Sequence, residues 1–363
     1  MSNNSMKKLV SAIIIAALLA TMLTSCATRT TGGNNSNTTP TGSTSESPRP
    51  SYTNSITIYM PVEYVDLGVL RDFEREFGVG VTLVEFDSNE EMYEEAIETN
   101  EYDVLVPSDY MIDRLIQEGY LAKLNHDLLP NMSYLSSQYM SPQYDGNNDY
   151  QIPYMVGTLG ILYNRRTLQI SSWQDMFGAS GILMVDSERD VVGVALKMLG
   201  YSMNSTDNSE LEAASQALQR ARGNIRGYYE STYIVDMITA QEAFIGVVYS
   251  GDGKLAVDLN SSLAYIIPEE GSNKWTDAFV IPANSSNIEL AHAFINFMCA
   301  PNIAIRNMSA IGYTSPVSDA WSEFAGNKIM FPIDDDLAKC ETFTHSPQIV
   351  EKQGEVWQNL RNR

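Results

Sequence analysis

Alternating strand and helix patterns between residues 55 and 120 restrict the fold of this chain more than any other feature of its sequence. Residues 56–60 form an apolar run, which predicts a buried strand. The apolar side chains of residues 67–77 recur at helical spacing, and the run stops at Gly78, a usual residue at the end of a helix. Three such strand and helix pairs in succession predict a parallel sheet with helices on both faces.

The remainder of the chain continues this alternation as far as its mostly helical tail. Further strands are predicted at 159–164, 181–186, 245–249, 263–268 and 278–282. Further helices are predicted at 188–199, 209–222, 233–243, 288–298, 302–310 and 347–360. Because domains average about 150 residues, a chain of 363 residues suggests about two of them. We therefore expect two α/β lobes with a cleft between them.

The first 26 residues read as an export signal. Lys7 and Lys8 precede an uncharged, mostly apolar run at 9–22, and the sequence Leu-Thr-Ser-Cys then ends at Cys26. This pattern resembles the lipobox of bacterial lipoproteins, which implies a diacylglyceryl group on Cys26. The alternative is an uncleaved transmembrane anchor, for which the run is short. Of the 28 residues at 27–54, 23 are Ser, Thr, Asn, Gly or Pro, which predicts a disordered tether.

The charge of the chain excludes some partners and favours others. The formal net charge is −22, which argues against nucleic acid and favours a cationic ligand. The three cysteines form no zinc or redox pair, and the three histidines are scattered. Dinucleotide, P-loop, nucleophile-elbow and zinc-protease motifs are missing from the sequence, so we expect no cofactor, no metal and no catalytic residues.

Carboxylates and aromatic rings follow the predicted strands. Ligands of open parallel sheets bind beyond the carboxyl ends of the strands, where these side chains would meet. The residues that follow predicted strands are Glu63, Tyr64, Ser108, Tyr110, Ser187, Asp190 and Tyr249, and Trp275 and Asp277 open the segment that crosses back toward the first lobe. Carboxylates pair with ammonium groups, and ring faces attract cations. The set therefore predicts a cage for an ammonium ligand.

Several stretches of residues 56–318 resemble the spermidine/putrescine-binding proteins of bacterial polyamine ABC transporters. The matching stretches are Glu-Tyr-Val at 63–65, Asp-Ser-Asn-Glu-Glu-Met-Tyr at 87–93, Tyr-Asp-Val-Leu-Val-Pro-Ser-Asp-Tyr at 102–110, Asn-Asn-Asp-Tyr-Gln-Ile-Pro-Tyr at 147–154, Ala-Leu-Lys-Met-Leu-Gly-Tyr-Ser at 195–202, Trp-Thr-Asp at 275–277, Ile-Pro-Ala-Asn at 281–284 and Ile-Gly-Tyr at 311–313. The resemblance implies a type II periplasmic-binding-protein-like fold. Each of its two lobes would have a mainly parallel sheet flanked by helices, with the ligand in the cleft.

The resemblance also implies a role for individual residues. Asp277 and Asp190 would grip the amines, and Ser108 would contact the ligand. The aromatic wall would consist of Tyr64, Tyr110, Trp275 and Tyr313, with Tyr249 where the family usually has tryptophan.

Two departures from the family pattern concern the choice of polyamine. The usual tryptophan before the Glu-Tyr pair is replaced by Pro61-Val62, and a second-lobe aspartate is replaced by Ser187, beside Asp186. The family's C-terminal glutamine contact has no clear counterpart here.

The expected organisation is a signal peptide at 1–25, a lipidated cysteine and tether at 26–54, a first lobe at 55–155 plus 276–320, and a second lobe at 156–275 plus 321–363. The expected function is a monomeric, non-enzymatic polyamine receptor that is anchored outside the cell through Cys26 and delivers its ligand to an ABC transporter permease. Three alternatives stay open. In the first, the ligand is another solute, such as a sugar or another cationic amine. In the second, the ligand is a ferric ion, for which Tyr228-Tyr229 is the one adjacent tyrosine pair. In the third, the protein is an exported hydrolase that uses Asp190 and Asp277 as an acid/base pair.

Overall fold

A computed structural model describes residues 55–99 and 101–361 of the chain. The predicted signal peptide, Cys26 and the tether lie outside the described residues. The strands are β1 (Ser55–Pro61), β2 (Gly80–Phe86), β3 (Val104–Leu105), β4 (Gln151–Asn164), β5 (Ile182–Val185), β6 (Ile225–Tyr229), β7 (Ile245–Tyr249), β8 (Leu263–Ile266) and β9 (Lys274–Val280). The helices are α1 (Leu67–Phe77), α2 (Asn89–Glu98), α3 (Asp109–Gln117), α4 (Trp173–Gly178), α5 (Glu188–Met198), α6 (Asn208–Ala221), α7 (Ser231–Thr239), α8 (Ser250–Leu259), α9 (Ile288–Met298), α10 (Pro301–Ile311), α11 (Asp334–Leu337) and α12 (Pro347–Arg361).

The first lobe is built on β1, which pairs in parallel with β2 on one side and β3 on the other. Helix α1 is capped at its start by Asp66, whose side chain accepts the Gly68 N–H, and at its end by Gly78 with φ +69°, a conformation that favours glycine. One apolar cluster lies around α1, α9 and α10, and a second lies around α2 and α3. The predicted sheet with helices on both faces is therefore confirmed for this region.

Two long strands, β4 and β9, pass between the lobes. They pair with each other in antiparallel fashion, with a bulge between Pro153 and Met155. Strand β4 also pairs with β7 and β8, so the sheet is continuous in the order β2-β1-β3-β9-β4-β7-β5-β6, with β8 attached to β4. The sheet is mixed, because the parallel pairs of each lobe meet antiparallel pairs at the crossing. The expected two-lobed α/β architecture is confirmed.

The second lobe contains the parallel pairs β5–β6 and β5–β7. Its core gathers side chains from these strands and from α4 to α7, with Trp173 fully buried. Helix α12 adds Val356 and Leu360 to this core. The end of the chain is therefore packed on the second lobe. The exact lobe boundaries given above stay a prediction.

Two further features concern the cysteines and the most apolar helices. Cys299 and Cys340 are buried free thiols. In the part of the chain that the structure describes, no single helix is long and apolar enough to cross a membrane, although α9 and α10 together meet that criterion with a bend of 75° between them. Both helices bury most of their apolar side chains inside the protein.

Candidate functional site

The centre of the candidate site lies on β9, where Trp275 and Asp277 point to the same face because side chains alternate along a strand. Trp275 pairs with Gly157 on β4. A Cβ atom at position 157 would lie 2.4 Å from Cζ2 of Trp275, so glycine allows the indole to lie directly on the neighbouring strand. The crossing between the lobes thus carries one carboxylate and one large ring side by side.

Two buried aspartates are each held by one tyrosine. Tyr64, which follows β1, donates its hydroxyl to Oδ2 of Asp277 at 2.8 Å. In the second lobe Tyr249, at the end of β7, donates to Oδ2 of Asp190 at 2.8 Å. Asp277 is 6% exposed and Asp190 is 5% exposed. The same device therefore fixes one carboxylate in each lobe.

A third carboxylate, Asp252 in the first turn of α8, has a similar arrangement. Its Oδ2 accepts hydrogen bonds from Ser231 at 2.5 Å and from Tyr313 at 3.3 Å. The ring of Tyr313 lies over Gly251, where a Cβ atom would come within 2.5 Å of it. Glycine at that position thus lets the ring approach the start of α8.

The tyrosines and Trp275 are linked by ring contacts. The ring centroid of Trp275 lies 5.1 Å from that of Tyr313 and 6.2 Å from that of Tyr249, and Tyr64 lies 5.6 Å from Tyr313. We call Tyr64, Tyr249, Trp275 and Tyr313 the aromatic cage. Its rings meet edge to face, so several ring faces and several carboxylates belong to one site.

The carboxylates of the cage are only half satisfied. Oδ1 of Asp277, Oδ1 of Asp190 and Nε1 of Trp275 are buried without a hydrogen-bond partner among the described residues. Buried polar atoms are normally paired, because a lone one costs about 1–3 kcal/mol and a charged one costs more. Two unpaired carboxylate oxygens in one cage are therefore suited to a ligand that donates hydrogen bonds and carries positive charge.

Burial also changes the protonation of these groups. Loss of water around the carboxylates raises the pKa of Asp277 and that of Asp252 to about 6, and it raises the pKa of Asp190 as well. The hydroxyl of Tyr64, which is bonded to Oδ2, and the nearby hydroxyl of Ser108 oppose this rise in the pKa of Asp277. Burial holds the pKa of Tyr64, Tyr249 and Tyr313 well above its usual value, so these hydroxyls stay donors.

Ser108, Ser187 and Glu63 lie at the edges of the cage. Ser108 pairs with Asp277 through an isolated bridge, and its Oγ accepts from the Asn89 side chain at 3.0 Å. Ser187 caps α5 by accepting the Asp190 N–H at 3.3 Å. Glu63 has a positive φ of 57°, its N–H donates to Glu85 at 2.9 Å, and its side chain is exposed. Glu63 is thus the most peripheral member of the predicted set.

Tyr110 lies at the Asp190 end of the cage, in contact with side chains that the sequence did not single out. Its hydroxyl donates to the exposed carboxylate of Glu90 at 3.0 Å. The guanidinium carbon of Arg189 lies 4.1 Å from the centroid of its ring. The ring of Phe343, from the C-terminal region, meets Tyr110 edge-on at 6.4 Å. Tyr110 therefore belongs to a cluster that joins both lobes and the C-terminal region.

Asp252, Arg189 and Phe343 are the residues that the sequence-based set omits. Asp252 stands three residues after Tyr249, in Tyr-Ser-Gly-Asp, so its place after a strand was a usable signal. Arg189 precedes a predicted ligand residue and would ordinarily be taken for a surface charge. Phe343 carries no local signal, because its contact with Tyr110 spans most of the chain.

A cavity of about 350 Å³ lies next to Trp275 and is also lined by Asp109, Thr276 and Met330. Both oxygens of Asp109 accept backbone N–H groups, from Tyr110 and Thr276, and burial raises its pKa to about 8. This acid is therefore already satisfied by the protein.

Among the described residues, the adjacent tyrosines of the ferric alternative lie outside the cage. Tyr228 packs on Trp357 and Tyr229 on Tyr233, at the β6 side of the second lobe rather than in the cage. Among residues 55–99 and 101–361, no group of three or more His, Cys, Asp or Glu side chains could hold a metal ion.

Comparisons with known proteins agree with the architecture. The model of the bacterial extracellular solute-binding protein family matches residues 69–329. The spermidine/putrescine-binding periplasmic protein of Escherichia coli K12 is 32% identical over 314 residues, which cover 84% of this chain and 87% of that protein. The putrescine-binding periplasmic protein SpuD of Pseudomonas aeruginosa UCBPP-PA14 is 27% identical over 326 residues, 81% of this chain and 88% of that protein.

Solved structures give the same result. A putative spermidine/putrescine ABC transporter protein from Listeria monocytogenes superposes with a TM-score of 0.81 at 33% identity, covering 85% of this chain and 99% of that one. The spermidine/putrescine substrate-binding protein PotD of Streptococcus pneumoniae gives 0.75 at 30% identity, with 85% and 99% covered. The chain belongs to the family of bacterial extracellular solute-binding proteins.

Proposed function

We propose that the protein is a receptor that binds a linear polyamine in the aromatic cage and delivers it to an ABC transporter permease. The observation that carries the proposal is the pair of buried aspartates, Asp277 and Asp190, each with one oxygen held by tyrosine and the other unpaired. Binding removes water from the ammonium groups of a polyamine, and carboxylates must replace that water. The cage rings supply apolar area for the methylene stem and cation–π attraction for the charges.

The two anchors come from different lobes, which supports a receptor that closes on its ligand. Asp277 lies on the crossing strand β9 and pairs with Tyr64 of the first lobe, whereas Asp190 lies in the first turn of α5. A ligand that contacts both carboxylates at once stabilises the arrangement in which the two lobes are closed, and not the open one. Hinge closure through few crossing strands is a usual motion of two-lobed proteins.

The relatives support the same ligand class. Their printed names specify spermidine and putrescine, or putrescine alone. Tyr64, Ser108, Tyr110, Asp190, Tyr249, Trp275, Asp277, Tyr313, Ser187 and Glu63 are the proposed ligand-binding residues, and Asp252 joins them because of its bond with Tyr313. We further propose that the protein acts as a monomer, has no catalytic activity, and is held at the outer face of the membrane through lipidated Cys26.

A thermal-shift panel on the full-length chain in detergent tests the ligand class. A ligand that binds only the folded state raises the melting temperature, by an amount that grows with its concentration above Kd. Putrescine and spermidine should raise it, whereas a neutral sugar and a ferric salt should leave it unchanged. A sugar or ferric response without a polyamine response would replace the proposal with one of the alternatives.

A further inference from the structure

The crossing strands have a second face, opposite the cage. Side chains alternate along a strand, so neighbouring residues point to opposite faces of the sheet. Trp275 and its partner Gly157 lie on the cage side, and Lys274 and Thr276, on either side of Trp275, therefore point the other way. The cavity of about 350 Å³ described above is lined by Lys274 and Thr276, and we call it the back cavity. Gly157 and Trp275 line it too, so the strands are a wall that the cavity shares with the cage.

The remaining walls of the back cavity are largely apolar. They come from residues 138–144 and from the C-terminal segment 329–342. Their apolar members include Met140, Tyr144, Met330 and Leu337. Gln138 and Thr342 also line the cavity and are exposed, which gives a ligand access from solvent. A volume of this size holds about a dozen water-sized atoms, which is the size of a small amino acid.

Asp109 places a buried acid in the wall of the back cavity. The side chain is 3% exposed, and its two oxygens accept the backbone N–H groups of Tyr110 at 2.8 Å and Thr276 at 3.2 Å. These bonds satisfy its hydrogen bonding, but Asp109 takes part in no ion pair among the described residues. Arg189, which is beyond ion-pair distance, favours the ionised form of Asp109, and Asp277 opposes it. The charge of Asp109 therefore has no direct counter-ion.

Lys274 is a cation in the same cavity that also has no direct counter-ion. Its Nζ donates to Leu337 O at 3.3 Å and joins no ion pair within the described part of the chain. Two acids lie in its neighbourhood. The Glu341 carboxylate is bound to Lys197 at 2.5 Å, and Asp336 is half-buried beside Leu337 without an ion pair to Lys274. Two of the three N–H donors of an ammonium group therefore remain available to a ligand at Lys274.

We propose that the back cavity is a second binding site, which takes a small zwitterion with an apolar body, such as an amino acid with an apolar side chain. The ammonium of the ligand contacts Asp109, its carboxylate contacts Lys274, and its apolar body lies against the apolar walls. Thr276, whose N–H holds Asp109, is about 6.6 Å from Lys274 along β9, which suits a ligand with opposite charges close together. A polyamine would face Lys274 and a simple anion would face Asp109, so neither matches both charges.

Proton release is a signature of binding at this site. Burial raises the pKa of Asp109 to about 8, so at pH 7 the empty cavity holds this acid mostly protonated. An ammonium beside the carboxylate favours the ionised form and lowers that pKa. Tyr144 stays protonated, because burial and the charge of Asp109 raise its pKa. Two further acids act on Tyr144, namely Asp113 and Asp145, and both already accept hydrogen bonds elsewhere. Binding at pH 7 therefore releases about one proton per ligand.

Calorimetry on the full-length chain in detergent tests the proposal with L-phenylalanine, phenethylamine and 3-phenylpropionate as probes. The amino acid should bind, and the two analogues, each of which lacks one charged group, should bind about tenfold more weakly or worse. Asp109→Asn and Lys274→Gln should each weaken phenylalanine binding by about tenfold or more, whereas the exposed control Asp127→Asn should leave it unchanged. Titrations in two buffers of different ionisation enthalpy should report about one proton released by the wild type and none by Asp109→Asn.

Saturating putrescine separates this site from the cage. Phenylalanine that binds equally well in the presence of putrescine occupies a different site, as proposed, whereas competition between the two places it in the cage and overturns the proposal. Equal binding of all three probes, or wild-type affinity in folded Asp109→Asn and Lys274→Gln proteins, also overturns it. A chain that binds putrescine but not phenylalanine refutes the back-cavity site and leaves the proposed function intact. Should Asp109→Asn fail to fold, Lys274→Gln and the three probes decide the question.

Discussion

Replacing Asp277 by asparagine removes one charge from the cage and keeps the shape of the side chain. In the structure the carboxylate is 6% exposed, with Oδ2 bound to Tyr64 at 2.8 Å and Oδ1 unpaired. If the amide oxygen of the variant takes the bond from Tyr64, its NH₂ group replaces Oδ1 and directs donors at the ligand. Losing one partner of a buried charge pair costs about 2–5 kcal/mol. The dissociation constant should therefore rise by roughly 30- to 4,000-fold.

The same substitution should not destabilise the unliganded protein. Burial raises the pKa of Asp277 from its ordinary value to about 6, so the folded state resists ionisation of this group more than the unfolded chain does. A raised carboxyl pKa lowers stability progressively as pH rises through the interval between the two values, and the penalty is complete above about 6. At pH 7.5 the melting temperature of Asp277→Asn should equal or exceed that of the wild type, and below pH 4 the difference should vanish.

Calorimetric titration with putrescine measures the affinity, and thermal melts across pH measure the stability. Asp127→Asn is the matched control, because it deletes the same charge at an exposed position in the 3₁₀ turn His126–Leu128. The control should bind like the wild type. A folded Asp277→Asn protein with wild-type affinity would refute the reasoning, and a large loss of melting temperature at pH 7.5 would show that Asp277 is structural.

Four further predictions concern other parts of the account. The affinity for putrescine should fall as pH decreases through 6, by up to about tenfold per pH unit for each carboxylate, because Asp252 and Asp277 must be ionised while the amines stay charged. Binding titrations from pH 8 to 5 check this, and an affinity that does not change with pH would contradict it. Trp275→Leu should weaken binding, with about 0.5–2 kcal/mol from lost cation–π attraction, and should change the salt dependence less than Asp277→Asn does. Saturating putrescine should make the full chain more compact in small-angle scattering, whereas identical profiles would argue against closure. A radioactive fatty acid should label the wild type in cells and leave Cys26→Ala unlabelled, and an unlabelled, uncleaved wild type would exclude the lipid anchor.

The local pattern of the sequence predicted most of the first lobe, since each element there has its own signal. Helix α1 has an apolar stripe and ends at Gly78 as predicted. Strand β4 was predicted only at 159–164, although it begins at Gln151. The prediction missed the first part of the strand because Pro153 and Gly157 interrupt the expected strand composition. Strand β6 was missed for a similar reason, since Arg226 and Gly227 hide its pattern. Both elements are fixed by their neighbours in the sheet rather than by their own residues.

The candidate site was predictable where chemistry followed a strand, as for Tyr64 after β1 and Ser108 after β3. The three tyrosine–carboxylate hydrogen bonds could not be foreseen, because Tyr64 and Asp277 are 213 residues apart in sequence. Phe343 could not be placed either, since it is brought next to Tyr110 by the backbone pairing of Glu341 with the crossing region. Contacts of this kind depend on how the lobes and the C-terminal region pack together.

A crystal structure of the full-length chain with putrescine is the most direct test of polyamine binding in the cage. The account predicts one extended ligand in contact with Trp275, with one ammonium within hydrogen-bonding distance of Oδ1 of Asp277 and the other within that distance of Oδ1 of Asp190, the two oxygens that have no partner now. Density for putrescine outside the cage, with both oxygens still unpaired or bound to water, would contradict the account.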